Sequence, residues 1–238
     1  ISRGDTPAGT HRSVCLLEVL AILAPKPGEI AVDATLGYGG HTREILKGIQ
    51  PGGVLYGFDV DAVELPKTEA RIRSEGFGPE SFVAIHSNFA ALPRMLSAVE
   101  HPFVDMILAD LGVSSMQIDN PERGFTFKGD GPLDMRMNQE RGETVAQLLI
   151  RLSEDKLALL LKLNADEPDA IVIARAIFQN RQNMLTTRDL SQAIRQALSA
   201  LYRSDLAIAK SEQRVYQALR IDVNGELSAL ETLLVNLP

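Results

Sequence analysis

Four short β-rich runs, EIAVDAT (29–35), VLYGFDV (54–60), FVAIHS (82–87) and VDMILADLG (104–112), alternate with helical stretches near 41–48, 62–75 and 88–98. Strands linked through helices pair in parallel, and a parallel sheet must be covered on both faces. The alternation therefore predicts an α/β doubly wound unit, preceded by an amphipathic helix near 13–23. From 143 onward no strand pattern appears. Helical periodicity runs through 143–163, 166–180, 187–202 and 211–235, which predicts a helical subdomain carried on the sheet. The expected division is 1–142, with 211–238 returning to it, against 143–210. Between the two patterns, 113–142 reads as a long ordered loop punctuated by Pro121, Gly124, Gly129, Gly131 and Pro132, and a loop of that length inside a compact domain usually has a function.

Composition removes other classes. With 238 residues, 45% hydrophobic and 23% charged, the chain can bury a substantial core, and neither disorder nor a fibre is expected. Cys15 is the single cysteine, so no disulfide framework is available and a reducing, cytoplasmic setting is expected. The apolar run VCLLEVLAILA (14–24) is too short to span a bilayer and carries Glu18. The net charge is −7, yet 175–220 holds eight basic residues, among them Arg188 and Arg195, against Asp189, Asp205 and Glu212. A polyanion is expected to be drawn to that segment, and Arg188 and Arg195, seven residues apart, share a face of one continuous helix. A solvated helix face is the competing reading.

The first run ends in VDATLGYGGH (32–41), with Gly37, Gly39 and Gly40 inside four residues. At the carboxyl end of a parallel strand such a turn exposes backbone N–H groups, and glycine removes the side chain that would block a ligand. The spacing lacks the last glycine of G-x-G-x-x-G, so a pyrophosphate is the poorer match. A nucleoside with an amino-acid tail fits better, but the turn alone does not separate a dinucleotide from S-adenosylmethionine. Asp59, ending the second run, is placed to accept from both ribose hydroxyls. Phe89, just after the third, is placed to cover an adenine face.

Taken with VDATLGYGGH, the block LADLGVSSMQIDNPERGFTFKGDGPLDMRM (108–137) closely resembles the bacterial RsmH/MraW family of small-subunit ribosomal RNA cytosine-N4 methyltransferases. SVCLLEVLAIL (13–23), IARAI (173–177), TTRDL (186–190) and YQALRIDVNGEL (216–227) extend the likeness along nearly the whole chain. The resemblance implies S-adenosylmethionine as methyl donor, a Rossmann-type class I methyltransferase sheet with an inserted all-helical subdomain, and ribosomal RNA or the small ribosomal subunit as partner. It implies no membrane and leaves a homodimer open. By matching motif, Gly39, Gly40 and His41 line the methionine part with Gly37, Asp59 holds the ribose, Phe89 lies by the adenine, and Asp110 and Gln117 lie by the sulfonium and target base.

The chain departs from the family in LNADEPDAIVIARAI (163–177), acidic where the family is basic, and in AKSEQR (209–214); Tyr216 replaces Phe. The family pattern also continues past Pro238 into further strands, so the fourth strand is expected to be left as a sheet edge. A cytosine amine is a weak nucleophile because its lone pair is delocalised into the ring. Asp110 is the expected catalytic residue, accepting an N–H to align that lone pair, and Phe125 or Phe127 is expected either to stack on the flipped base or to anchor the loop. No metal site is expected, since Asp119, Asp130 and Asp134 are interleaved with Arg123, Lys128 and Arg136. His86 and His101 read as strand-end and turn residues. A small-molecule methyltransferase and a noncatalytic ribosome-assembly factor are the rival readings; donor binding separates the second from the first.

Overall fold

The computed structural model describes residues 13–99, 103–201 and 203–237. His101 lies outside them. In chain order the first elements are α1 (Leu16–Leu23), β1 (Ile30–Asp33), α2 (Gly40–Ile49), β2 (Val54–Asp59), α3 (Leu65–Ser74), β3 (Phe82–His86), α4 (Leu92–Ala98) and β4 (Met106–Leu108). The strands form one parallel sheet in the order β3-β2-β1-β4. The register pairs Ile30 with Val54, Leu55 with Phe82 and Ala31 with Met106. Side chains alternate across each strand, and the sequence supplies apolar residues for both faces. Ala31, Leu55, Phe82 and Met106 pack with Ile45, Leu46 and Ile49 of α2 and Ile72 of α3. On the other face Val32, Tyr56, Phe58 and Ile85 pack with Leu92 and Leu96 of α4 and with Leu233. The strand order reverses between β1 and β4, so their carboxyl ends open the crevice where sheets of this kind hold ligands.

The β4 run is shorter than its expected 104–112, because after Leu108 no further pair to β1 forms and the chain turns through Gly112 with φ +140°. Among the described residues β4 pairs only with β1, which leaves it at the sheet edge.

The remaining elements are α5 (Ser115–Asp119), α6 (Val145–Arg151), α7 (Glu154–Ala165), α8 (Ala170–Asn180), α9 (Thr187–Ser199), α10 (Asp205–Asn224) and α11 (Glu226–Asn236). Two expected helices are broken. In 143–163 the Ser153 hydroxyl accepts from Lys156 N–H and starts α7 afresh. In 211–235 Gly225, with φ +58°, closes α10 in the left-handed conformation that glycine adopts freely.

The chain divides into two compact units, one reaching Ser114 and resuming at Ala229, the other Ser115–Ser228. This corrects the division drawn at 142 and 210. The long loop packs with the helices: Leu133 N–H donates to Leu185 O (2.8 Å), Thr187 N–H to Gly131 O (2.9 Å), and Phe127 meets Tyr216 edge-on at 5.4 Å. Helix α10 likewise packs on α7 and α9.

Asn224, the last residue of α10, ties the loop down. Its side-chain oxygen accepts from Met137 N–H (2.7 Å) and its amide donates to Met135 O (2.8 Å). Met135 is fully buried with φ +60°, a conformation costly for a side chain with a Cβ. The clamp offsets that strain. Replacing Asn224 with Ala removes both bonds and strands two backbone groups, and is expected to lower stability by about 1–3 kcal/mol in urea unfolding.

Candidate functional site

In the first unit the turn after β1 is built by contacts from distant segments. Gly37 (φ +49°) donates its N–H to Asp59 Oδ2 at 2.9 Å, and its carbonyl accepts from Thr68 Oγ1 at 2.6 Å. Arg71 donates to Thr68 Oγ1 (2.6 Å), and its guanidinium lies 3.8 Å from the centre of the Tyr38 ring. Thus α3 braces the turn from behind. Gly39 (φ +80°) precedes α2, and a Cβ there would come within 2.9 Å of Thr68 Cγ2. The glycine is needed for both backbone conformation and close approach.

Asp59 ends β2, with Oδ1 accepting from Asp61 N–H at 2.9 Å while Oδ2 holds Gly37. Burial raises its affinity for a proton above that of an ordinary carboxyl, an effect opposed by these two N–H donors and reinforced by Asp61 and Asp33. Each oxygen keeps a lone pair beyond its backbone donor. Asp59 is therefore a desolvated acceptor, held at the end of the strand by backbone it also supports.

Asp33 is buried more deeply. Its Oδ2 accepts from Thr42 Oγ1 at 2.6 Å and its Oδ1 from Thr35 N–H at 3.1 Å. Burial pushes its carboxyl up; Thr42, Thr35 and His41 pull it down, and Asp110 pushes it up. Thr35 in turn accepts the N–H of Asp110 on its hydroxyl at 2.7 Å. Asp110 stands two residues beyond β4, its side chain 53% exposed, with Oδ2 3.9 Å from His41 Nδ1. His41 is buried, and its Nε2 lies 3.0 Å from Val14 O. A carbonyl only accepts, so Nε2 carries a proton and Nδ1 faces Asp110.

Gly37, Gly39, Gly40, His41, Asp59 and Asp110 are thus gathered at the carboxyl ends of β1, β2 and β4. Phe89 opens a short 3-10 turn after β3, capped by Asn88, and packs partly buried beside Ile85 and Leu92. Thr35, Thr42, Thr68 and Arg71 were not anticipated. Thr35 and Thr42 adjoin the glycine turn in sequence, but nothing along the chain indicates that Thr68 and Arg71 reach back some thirty residues.

The second unit holds Gln117, Phe125, Phe127, Arg188 and Arg195. Gln117 is buried in α5. Phe125 is only 8% exposed, with the Arg123 guanidinium 5.7 Å from its ring centre, and Phe127 packs on Tyr216. This corrects the stacking role for Phe125: its ring is enclosed and anchors the loop.

The basic segment needs correction too. Arg175 pairs with Glu154, Arg188 with Asp130, Arg203 with Asp169, Arg214 with Glu167 and Arg220 with Glu226, all at 2.7–3.7 Å. Arg181 lies over the Phe178 ring. Arg195 makes two bonds to the fully buried Glu212, at 2.9 and 2.5 Å, beside a bond from Ser191. The acids lie mostly outside 175–220, so a count along the chain overstated the local positive charge. Arg188 and Arg195 do lie on one continuous helix, α9, but Arg195 is committed to Glu212. In the long loop Asp134 pairs with Arg136 at 2.7 and 2.9 Å; burial would raise its carboxyl, and these bonds hold it below the ordinary range.

A parallel sheet with a glycine turn after β1 and a desolvated acid ending β2 defines a Rossmann-type domain for a nucleoside cofactor. The chain belongs to the MraW methylase family, whose pattern matches residues 8–238. It is 47% identical to "Ribosomal RNA small subunit methyltransferase H 2" of Alkaliphilus metalliredigens, covering 100% of this chain and 69% of that protein. To "Ribosomal RNA small subunit methyltransferase H 1" of Lachnoclostridium phytofermentans it is 46% identical, covering 100% and 66%. The chain therefore spans about two thirds of the length of these relatives. Among solved structures, the cyclopropane synthase MmaA2 from Mycobacterium tuberculosis aligns over 97% of this chain and 83% of its own, with a TM-score of 0.33 and 13% identity.

Two outcomes follow. Arg195→Ala leaves a buried carboxylate without its cation and is expected to cost roughly 2–4 kcal/mol in chemical unfolding, whereas Arg188→Ala, an exposed pair, costs under about 1 kcal/mol. For Asp33, the folded carboxyl holds its proton more tightly than the unfolded one. Native stability it influences is then lost as pH rises from about 4 through the raised folded value. Asp33→Asn lacks this titration, so its stability relative to the parent should improve from pH 4 to pH 7 in urea titrations.

Proposed function

We propose that this chain binds S-adenosylmethionine through the Gly37–His41 turn and Asp59 and takes part in methylating the N4 amine of a cytidine in small-subunit ribosomal RNA. The observation that carries the reading is the pair of acids at the sheet's carboxyl end: Asp59 partly buried and held by the glycine turn, Asp110 exposed beside His41. The names of the relatives supply the substrate class.

The residues suit the donor. Asp59 offers remaining lone pairs to two neutral hydroxyls, which stabilise a carboxylate already removed from water without neutralising it. The N–H groups of Gly37 and Gly39 are bonded to Asp59 and to Leu36 O and fix the turn, the missing side chain at Gly37 leaves room for the amino-acid tail, and the half-buried Phe89 ring supplies an apolar surface for a purine. When bound, S-adenosylmethionine supplies an electrophilic methyl group on a sulfonium. Asp110 then accepts one N–H of the cytosine amine and turns the nitrogen lone pair toward the methyl carbon. Transfer of that methyl to the amine would leave its S–C electron pair on the donor's sulfur, and the amine would pass one proton toward Asp110 and solvent. No side-chain nucleophile takes part. The gain comes from alignment, worth up to roughly 7–11 kcal/mol in favourable systems.

Asp110→Asn keeps the shape but removes charge and one acceptor. Methyl transfer to small-subunit RNA should fall at least about a hundredfold, in the range of general-base effects, while donor affinity by calorimetry changes far less. Nucleoside mass spectrometry of the product reads the position: methyl on the ring carbon or on ribose, or none on RNA, overturns the substrate assignment and leaves donor binding standing.

A further inference from the structure

Within the second unit, α8, the short turn after it and α9 border an open groove of about 220 Å³. Its floor is apolar, formed by Met184 and Ala193, 1% and 9% exposed. Its rim is formed by four carboxamides, Asn180, Asn183, Gln192 and Gln196, with the Asp189 carboxylate. No lysine or arginine lines it. Asp189, Gln192, Ala193 and Gln196 follow the spacing i, i+3, i+4, i+7 and so form one face of α9.

This chemistry selects its occupant. A carboxylate and neutral amides without a cation reject phosphate, whereas an apolar floor with convergent donors and acceptors suits a flat, uncharged, hydrogen-bonding ring. Asn and Gln side chains match the paired donor and acceptor on a base edge, and a carboxylate accepts from an exocyclic amine. Asp189 already receives three donors on Oδ2, from Leu185 N–H, Thr186 N–H and the Thr186 hydroxyl, which fixes the carboxyl at the start of α9. These bonds hold it below the ordinary carboxylate range against the opposing effect of burial, with Arg188 contributing. Arg188, 64% exposed, stands on the adjoining side of the helix, where a backbone phosphate joined to such a base can reach it.

We propose that this groove holds an unpaired nucleobase of the RNA substrate, read by Gln192 and Gln196 over the Met184 floor. The proposal rests on RNA being the substrate, and it adds a base-reading site within the helical unit alone. Single-stranded RNA is read in this way, through bases out of the stack presenting their edges to side chains.

The test uses the whole chain with Gln192 and Gln196 both changed to Ala. Both are exposed on a helix where Ala is favourable, so folding should be retained; circular dichroism and S-adenosylmethionine binding monitor it. The probes are a fluorescent single-stranded hexaribonucleotide of mixed sequence and an abasic hexamer of equal charge. The variant should bind the hexaribonucleotide about fivefold to a hundredfold more weakly, the range for a lost bidentate base contact, with an unchanged salt slope and no change toward the abasic hexamer. Arg188→Ala should instead flatten the salt slope for both probes. The groove assignment is overturned if the parent does not bind the hexaribonucleotide, if the variant matches the parent, or if the loss is equal on the abasic probe. Methyl transfer, measured separately, distinguishes the two readings: its absence with base discrimination intact counts against the proposed reaction and not against the groove.

Discussion

The hydrogen bond from Gly37 N–H to Asp59 joins the end of β1 to the end of β2, across 22 residues of chain. It holds the turn open in a conformation that glycine permits, and it orients the partly buried acid that ends β2. Neither end is stable in that form alone: without Asp59 the turn has an unsatisfied donor, and without the turn Asp59 is a desolvated carboxylate short of one partner. Thr68 and Arg71 close the arrangement from α3, so the geometry of a few loop atoms is set by packing of a whole helix on the sheet. Part of the cost of burying Asp59 is offset before any ligand arrives, which is the physical meaning of a preorganised site.

Much of this was legible along the chain because it depends on local rules. Parallel strands show as apolar runs, glycine shows where backbone must bend or be approached, and the end of β2 is a predictable place for an acid. What was not legible depends on pairing at a distance. Arg195 looks like a free cation until Glu212 is seen beneath it, and Phe125 looks like a stacking platform until the loop folds over it. The same holds for the unit boundary: 115–142 has no helical pattern, yet its backbone bonds to Leu185, Thr187 and Asn224 place it with the helices.

The departures from the family pattern make sense as a set. Glu167 lies in 163–177 and Ser211, Glu212 and Arg214 in 209–214, and in the folded chain Ser211 donates to Glu167 at 3.0 Å while Arg214 approaches it at 3.7 Å. Glu212 receives Arg195. Both buried acids are thus paired within the helical unit, where an unpaired one would cost several kcal/mol.

Asp59 and Asp110 are both carboxylates at the sheet's carboxyl end, but the fold constrains them differently, and the difference matches their proposed tasks. Asp59 sits on a six-residue strand paired on both sides, with each oxygen tied to backbone. Asp110 follows a three-residue edge strand whose last backbone bond runs from Ala34 N–H to Leu108 O, and beyond it the chain is joined back to β1 by Asp110 N–H on Thr35. Its carboxylate is half exposed, with His41 Nδ1 3.9 Å away. A binding group gains from being fixed and dry, because its ligand groups are the same in every cycle. A group that must meet an incoming amine and then release a methylated one gains from exposed oxygens on a tether. The Thr35 hydroxyl is that tether, and since Thr35 N–H also bonds Asp33, the position of Asp110 is coupled to the most deeply buried carboxyl of the sheet.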